Sequence, residues 1–253
     1  MSPAARVPSR AECDLMAQDG YVVVRSLVPA SEVALLLRWT GELESAPPVS
    51  GRHWVYQEAS LLQPGAKLVQ RIENFCPFHA ELDRFIRQGE LIQWVGALMG
   101  GPVVLFKDKI NLKLSGGDGF KPHQDQQAGW SRYAPLFVTA MVTLDAATLA
   151  NGCLKIAAGR HREGLIGEQW KPIEENSLDL KPITTGPGDV VFFDSYAPHA
   201  SGPNLTGTAR RVLYLTYNLA SAGDHRAQYF ADKHASFPPD VDRDPNKRYE
   251  FRV

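Results

Sequence analysis

The sequence is short of cysteine: three in 253 residues, Cys13, Cys76 and Cys153, widely spaced and odd in number. That set supports no disulfide framework, so a reduced, cytoplasmic protein is expected. No Cys-x-x-Cys occurs, which argues against a thiolate zinc site. A surplus of either charge is missing as well. Lys and Arg total 27 against 28 Asp and Glu, a formal net charge of -1. A general nucleic-acid binder would carry a basic excess, so no nucleic-acid partner is expected. No apolar run approaches the roughly 20 residues of a membrane helix, so no membrane partner is expected either. Residues 1–10 lack the apolar segment of a secretory signal. Internal repeats and low-complexity tracts are also absent.

What is present is ordinary for a globular chain: 44% hydrophobic and 22% charged residues. A chain of this length buries a sizeable core. Residues 9–19 read as a helix, with Ser9 and Glu12 spaced as a capping box. The β-branched run 21–28 reads as a strand. A helix follows over 30–44, with Ser31 as its candidate cap. Residues 47–54 form a Pro/Gly/Ser-rich loop. The apolar spacing predicts a third helix over 78–99. Beyond Gly100 the texture changes to short alternating runs at 103–114, 135–144, 152–157, 181–184, 189–193 and 209–219. Helices followed by many short strands predict an α+β chain with an antiparallel sandwich or jelly-roll core. The tail, 237–253, is charged, contains proline and reads as an extended surface segment.

Seven histidines are available. Three stand two residues before an acid: His79/Glu81, His123/Asp125 and His161/Glu163. Such matches arise by chance, and local structure separates them. Residues i and i+2 diverge by about 200° on a helix but share a face on a strand. His79 and Glu81 open a predicted helix and should diverge. His161 and Glu163 lie in a loop without clear geometry. His123 and Asp125 follow Pro122 between two predicted strands and can point together. A distant third ligand is then needed, and His199, after the strand 190–193, is the best placed. Two His and one carboxylate with open positions suit a non-heme Fe(II) oxygenase. The alternative is that His123 and His199 are surface loop residues. Arg210 and Arg211 follow at the start of another strand. Alternation turns only one of them inward, where it could hold a carboxylate by two hydrogen bonds.

With these residues assembled, the chain from about 10 to about 220 resembles the phytanoyl-CoA dioxygenase (PhyH-like) family of Fe(II)/2-oxoglutarate oxygenases. The resemblance is carried by "HQD" (123–125), "NGCLKIAAGRHREG" (151–164), "PGDVVFFDSYAPHASGPN" (187–204) and Arg210, eleven residues beyond His199. It implies a double-stranded β-helix, a jelly roll of cupin type, behind N-terminal helices. One domain is expected over 1–253, with a mostly helical flank (1–100), the jelly-roll core (101–220) and a C-terminal extension (221–253). The resemblance also implies Fe(II), 2-oxoglutarate and O2 as cofactor and cosubstrates. His123, Asp125 and His199 would bind iron, and Arg210 would pair with the far carboxylate of 2-oxoglutarate, with Ser201 beside it. Gln124 and Arg71, the latter in "QRIENF" (70–75), match positions near the cosubstrate, and Lys109 joins them. Met141 stands where some relatives carry Trp. "AAGRH" (157–161) lacks the usual Pro and Ser, and His161 is read as structural. Asp125, where Gly or Ala would admit a halide, implies hydroxylation or desaturation.

The substrate expected is a small molecule. In "KDKINLKL" (107–114), Lys107, Lys109, Asn111 and Lys113 share one face, with Ile110, Leu112 and Leu114 on the other. Either the polar face meets water, as lysine commonly does, or it lines a cavity that prefers an anion. The segment "ADKHASFPPDVDRDPNKRYEFRV" (231–253) resembles the tail of bacterial members linked to phosphonate breakdown, including 2-aminoethylphosphonate hydroxylation. An ammonium on the substrate would want Asp108, Trp130, Tyr133 or Tyr217 as partner. The alternatives are a natural-product tailoring oxygenase and a catalytically silent relative that binds metal or 2-oxoglutarate. Oligomeric state is not encoded legibly.

Overall fold

The computed structural model describes residues 6–249. Helix α1 (Arg10–Asp19) begins with the expected capping box. Ser9 Oγ accepts from the Glu12 amide, while the Glu12 carboxylate accepts from the Ser9 amide at 2.8 Å. Strand β1 (Tyr21–Val24) follows. Helix α2 (Ala30–Ser45) starts at Pro29 without a side-chain cap, so the capping role expected of Ser31 is not made. The single helix expected over 78–99 is two: α3 (Ala80–Gln88) and α4 (Glu90–Met99). Gly89 separates them in an extended conformation, and a Cβ there would stand 2.8 Å from the Phe85 carbonyl. Two strands within the flank expected to be mostly helical, β2 (Trp54–Ala59) and β3 (Lys67–Glu73), were not anticipated. Neither shows clean alternation: three buried residues cluster at one end of each.

The remaining strands are β4 (Val103–Lys113), β5 (Phe120–His123), β6 (Val138–Thr143), β7 (Leu154–Ile156), β8 (Lys181–Ile183), β9 (Val190–Asp194), β10 (His199–Ser201) and β11 (Arg210–Leu219). They form two antiparallel sheets. The larger runs β1-β9-β6-β11-β4-β3-β2 and the smaller β5-β10-β7-β8. The fold is α+β with a jelly-roll core, as expected. The segment after β11 is not simply extended. It folds into helix α5 (Arg226–Ser236) and a short turn at Asp240–Asp242, and residues 250–253 lie outside the described residues.

Three of the four apolar clusters among the described residues hold the layers. Helices pack on the outer face of the large sheet, where Trp94 stacks on Phe192 with ring centroids 5.6 Å apart. Between the sheets lie Met141, Leu154, Ile156, Val191, Phe193 and Val212. An aromatic cluster of Trp54, Phe106, Trp130, Phe137, Tyr229 and Phe230 joins α5 to the barrel end. Burying side chains this large contributes about 1.5–3 kcal/mol each. No helix among the described residues is long and apolar enough to cross a membrane.

Candidate metal and cosubstrate site

Strand register brings the two distant histidines together. His123 ends β5, His199 opens β10, and the two are direct cross-strand partners. Their ring centroids are 4.3 Å apart. Close approach of the strands needs Gly119, where a Cβ would fall 2.3 Å from the Ser201 carbonyl. Asp125 does not continue β5; it starts a tight turn over Asp125–Ala128. That turn still aims its carboxylate at the histidines. The ligand atoms of His123, Asp125 and His199 all lie within 4.8 Å of one another.

Each histidine is held for ligation by its other nitrogen. His123 Nδ1 donates to the Lys121 carbonyl at 2.7 Å, and His199 Nδ1 donates to the Ala197 carbonyl at 3.0 Å. A carbonyl only accepts, so the proton is on Nδ1 and the Nε2 lone pair is free for a metal. Enclosure in the cavity, and then the His199 ring, depress the His123 pKa to about 3, against an opposing pull from Asp125. A neutral imidazole is the ligating form.

The two arginines behave as alternation requires. Arg211 points out and forms a bidentate pair with Asp145, at 2.7 and 3.1 Å. Arg210 points in and is fully buried. None of its three guanidinium nitrogens has a well-formed hydrogen bond, although the Tyr214 hydroxyl lies beside it. A buried, unsatisfied guanidinium is costly and suits a carboxylate ligand. Ser201 accepts from Lys113 at 2.8 Å nearby. Burial, and then the Arg210 charge, lower the Lys113 pKa to about 7. The triad and this orphaned cation therefore fit iron and a dicarboxylate such as 2-oxoglutarate.

The polar face of β4 turns inward. Lys107, Lys109 and Asn111 line a small pocket at the triad, and Ile110 and Leu112 pack under the helices. Lys109 Nζ lies 4.6 Å from the Tyr214 ring centroid. Burial, and then Lys107, lower its pKa to about 7, with Asp125 opposing. The pocket opens into a larger cavity of about 600 Å³, whose wall includes Arg71, Lys107, Lys109 and Trp130.

Other expectations are corrected. Gln124 forms no part of the pocket wall at the triad. Its amide nitrogen donates to the Gly164 and Tyr196 carbonyls, and its oxygen accepts from the Ile166 amide. Between two residues that face the cavity, alternation turns it outward, where it braces loops. Tyr217 lies on the helix side of β11, opposite Thr216, and donates to the Ile86 carbonyl at 2.9 Å. Met141 is packed between the sheets and forms no part of the pocket wall. Asp108 is also turned from the cavity: it accepts from the Phe75 and Cys76 amides and pairs with Arg226 at 2.6 Å. Arg71 does reach the larger cavity but not the small pocket at the triad; it is engaged by Glu73 at 3.0 Å and lies over the Tyr56 ring. His79 caps α3, accepting from the Leu82 amide, and its ring stands 3.5 Å from Glu81, so the two do not diverge. Residues the sequence did not single out include Phe120, Tyr214, Tyr229 and Lys233. Only the inward alternation of β11 could have flagged Tyr214; for α5 the sequence offered only the tail resemblance, which begins at Ala231.

Comparison with known proteins agrees with this geometry. The family model for phytanoyl-CoA dioxygenase (PhyH) matches residues 16–212. A 2-aminoethylphosphonate dioxygenase from the uncultured bacterium HF130_AEPn_1 is 37% identical, over 91% of this chain and 89% of its own. A methylphosphonate hydroxylase from Gimesia maris is also 37% identical, over 89% of this chain and 86% of its own. The crystal structure of EctD from S. alaskensis with 2-oxoglutarate and 5-hydroxyectoine superposes with a TM-score of 0.71, covering 88% of this chain and 79% of that one at 24% identity, a likeness of fold. The chain thus belongs to the phytanoyl-CoA dioxygenase family, whose members are Fe(II)/2-oxoglutarate-dependent oxygenases.

Proposed function

We propose that the protein hydroxylates a C–H bond of a small organophosphonate. The observation that carries this reading is the inward lysine face of β4: Lys107 and Lys109 line one continuous wall from the larger cavity to Asp125. Cations on a partly dehydrated wall favour an anionic substrate, since Coulomb attraction is screened less there than in water. Both relatives at 37% identity act on phosphonates by name. An apolar tailoring substrate would leave this basic wall, where the acids Glu73 and Asp125 are outnumbered by Arg71, Lys107, Lys109 and Lys233, without a ligand charge to meet it. The complete triad, with the ligand-poised tautomers of His123 and His199, disfavours a silent relative.

His123, Asp125 and His199 would hold the iron, which with bound 2-oxoglutarate supplies oxygen activation: substrate C–H, O2 and 2-oxoglutarate become C–OH, succinate and CO2. Arg210 would fix the far carboxylate of 2-oxoglutarate, and Tyr214 and Lys113 shape the dry space around it. Lys107 and Lys109 orient the anion. Trp130, only 3% exposed, walls the cavity off from water and limits unproductive oxidation.

The test is succinate formation by anaerobically iron-loaded protein on admitting oxygen, with phosphonates, amino acids, acyl-CoAs and terpenoid acids offered separately. Succinate should rise with a phosphonate and vanish in folded His123→Ala, Asp125→Ala and His199→Ala. Turnover confined to a non-phosphonate class would sink the substrate reading. Failure of well-folded protein to bind iron or 2-oxoglutarate would sink the chemistry.

A further inference from the structure

The family match ends at residue 212, but the cavity wall does not. Helix α5, entirely beyond that match, contributes Tyr229 and Lys233 to the wall. Lys233 reaches back to β3. Its ammonium contacts the Glu73 carboxylate and lies over the rings of Tyr56 and Tyr229, at 5.4 and 5.9 Å. Lys107 approaches the other oxygen of Glu73 at 3.7 Å. Arg71 also bonds Glu73. Burial alone would raise the Glu73 carboxyl, but Lys107, Lys233 and Arg71 outweigh it and hold the group ionised, well below the usual range. One carboxylate thus gathers basic side chains from three separate elements, β3, β4 and α5. Burial pulls the Lys233 pKa well below the usual lysine value, Glu73 opposes that, and a second anion beside it would favour the ammonium form further. A central anion that keeps several cations together makes a preformed seat for a further, more highly charged anion. The other acid on this part of the wall, Asp232, is engaged by Tyr133 at 2.6 Å, Arg132 at 2.9 Å and Gln228 at 2.8 Å.

We propose that α5 is the substrate-selecting element, and that Lys233, with Lys107 across Glu73, seats the phosphonate head while the carbon chain points along Lys109 toward the triad. This rests on the phosphonate reading above. It goes further in assigning specificity to a helix outside the family core. A monoanionic carboxylate of equal length would meet the same cations with half the charge, and so would bind more weakly.

The experiment compares wild type, Lys233→Met and Lys233→Arg, with methylphosphonate and 2-aminoethylphosphonate as probes, by succinate kinetics and by calorimetry on iron- and 2-oxoglutarate-loaded protein under anaerobic conditions. In Lys233→Met, KM for the phosphonate should rise roughly tenfold or more, with a smaller change in kcat. Lys233→Arg should recover most of that loss and alter the KM ratio between the short and the long phosphonate. If Lys233→Met does not fold, that ratio in Lys233→Arg decides, because a purely structural lysine would leave it unmoved. Turnover of a phosphonate with the same KM in a folded Lys233→Met would overturn the seat and leave the substrate reading standing. Binding of both phosphonates without turnover of either, lost in Lys233→Met, would keep the anion seat and overturn phosphonates as substrates. No binding of either probe to wild type would overturn both.

Discussion

Arg210 and Lys113 show what single residues cost this fold. A fully buried guanidinium without a well-formed hydrogen bond opposes stability until an anion reaches it. Arg210→Met should therefore stabilise the protein free of 2-oxoglutarate by about 1–3 kcal/mol and weaken 2-oxoglutarate binding about a hundredfold. Thermal melts with and without 2-oxoglutarate read both effects at once. Lys113 gives a pH signature. Its folded pKa of about 7 lies below the unfolded value. Between the two values the unfolded chain holds a proton that the folded protein does not. Stability therefore rises with pH across that window, by up to about 1.4 kcal/mol per unit, and is lost as pH falls through the folded value. Urea titrations at pH 6 and pH 9 should show Lys113→Met gaining on wild type at the lower pH, with the gap shrinking at the higher one.

Among the elements, β5, β10 and α5 matter most. The candidate metal site forms because β10 pairs β5 in the one register that sets His199 against His123. A slip by one residue would turn these side chains to the other face. Helix α5 is docked by a buried ion pair, Arg226 to Asp108, and by Arg226 donating to Asn74 at 2.9 Å. Arg226→Met would leave the fully buried Asp108 carboxylate uncompensated. The expected cost is about 3 kcal/mol, seen as a lower urea midpoint, together with a raised KM for the phosphonate as Lys233 loses its position. A midpoint equal to wild type would show that α5 is held by its aromatic contacts and its other polar pairs, without need of Arg226.

For the whole molecule, the formal charge of -1 conceals its distribution. The cavity concentrates lysines while the surface balances them with acids. A field of this kind captures small anions, and salt weakens it. Raising NaCl from about 20 to about 200 mM should lower kcat/KM for a phosphonate a few-fold, with kcat nearly constant. An unchanged kcat/KM would place the recognition in short, fully enclosed contacts instead.

The sequence by itself determined the parts whose logic is local. Ser9 and Glu12 announce α1 because a capping box needs only neighbours three apart. His123, Asp125, His199 and Arg210 were legible from strand alternation and from a family resemblance spread over several segments. Alternation also required that only one of Arg210 and Arg211 face inward, and the side chains do so. Tertiary structure decided the rest. Tyr217 turned to the helices because the faces of β11 are assigned by which layer covers them, and the loop carbonyls that Gln124 braces, those of Gly164 and Tyr196, come from distant segments. The lysine face of β4 could have met water; it became a cavity wall because the smaller sheet, through β5, β7 and β10, lies opposite it and α5 closes the end. Glu73 and Lys233 lie 160 residues apart, and no local rule joins them. Only chain closure brings a carboxylate and an ammonium so distant into one dehydrated site, where each makes the other's charge tolerable.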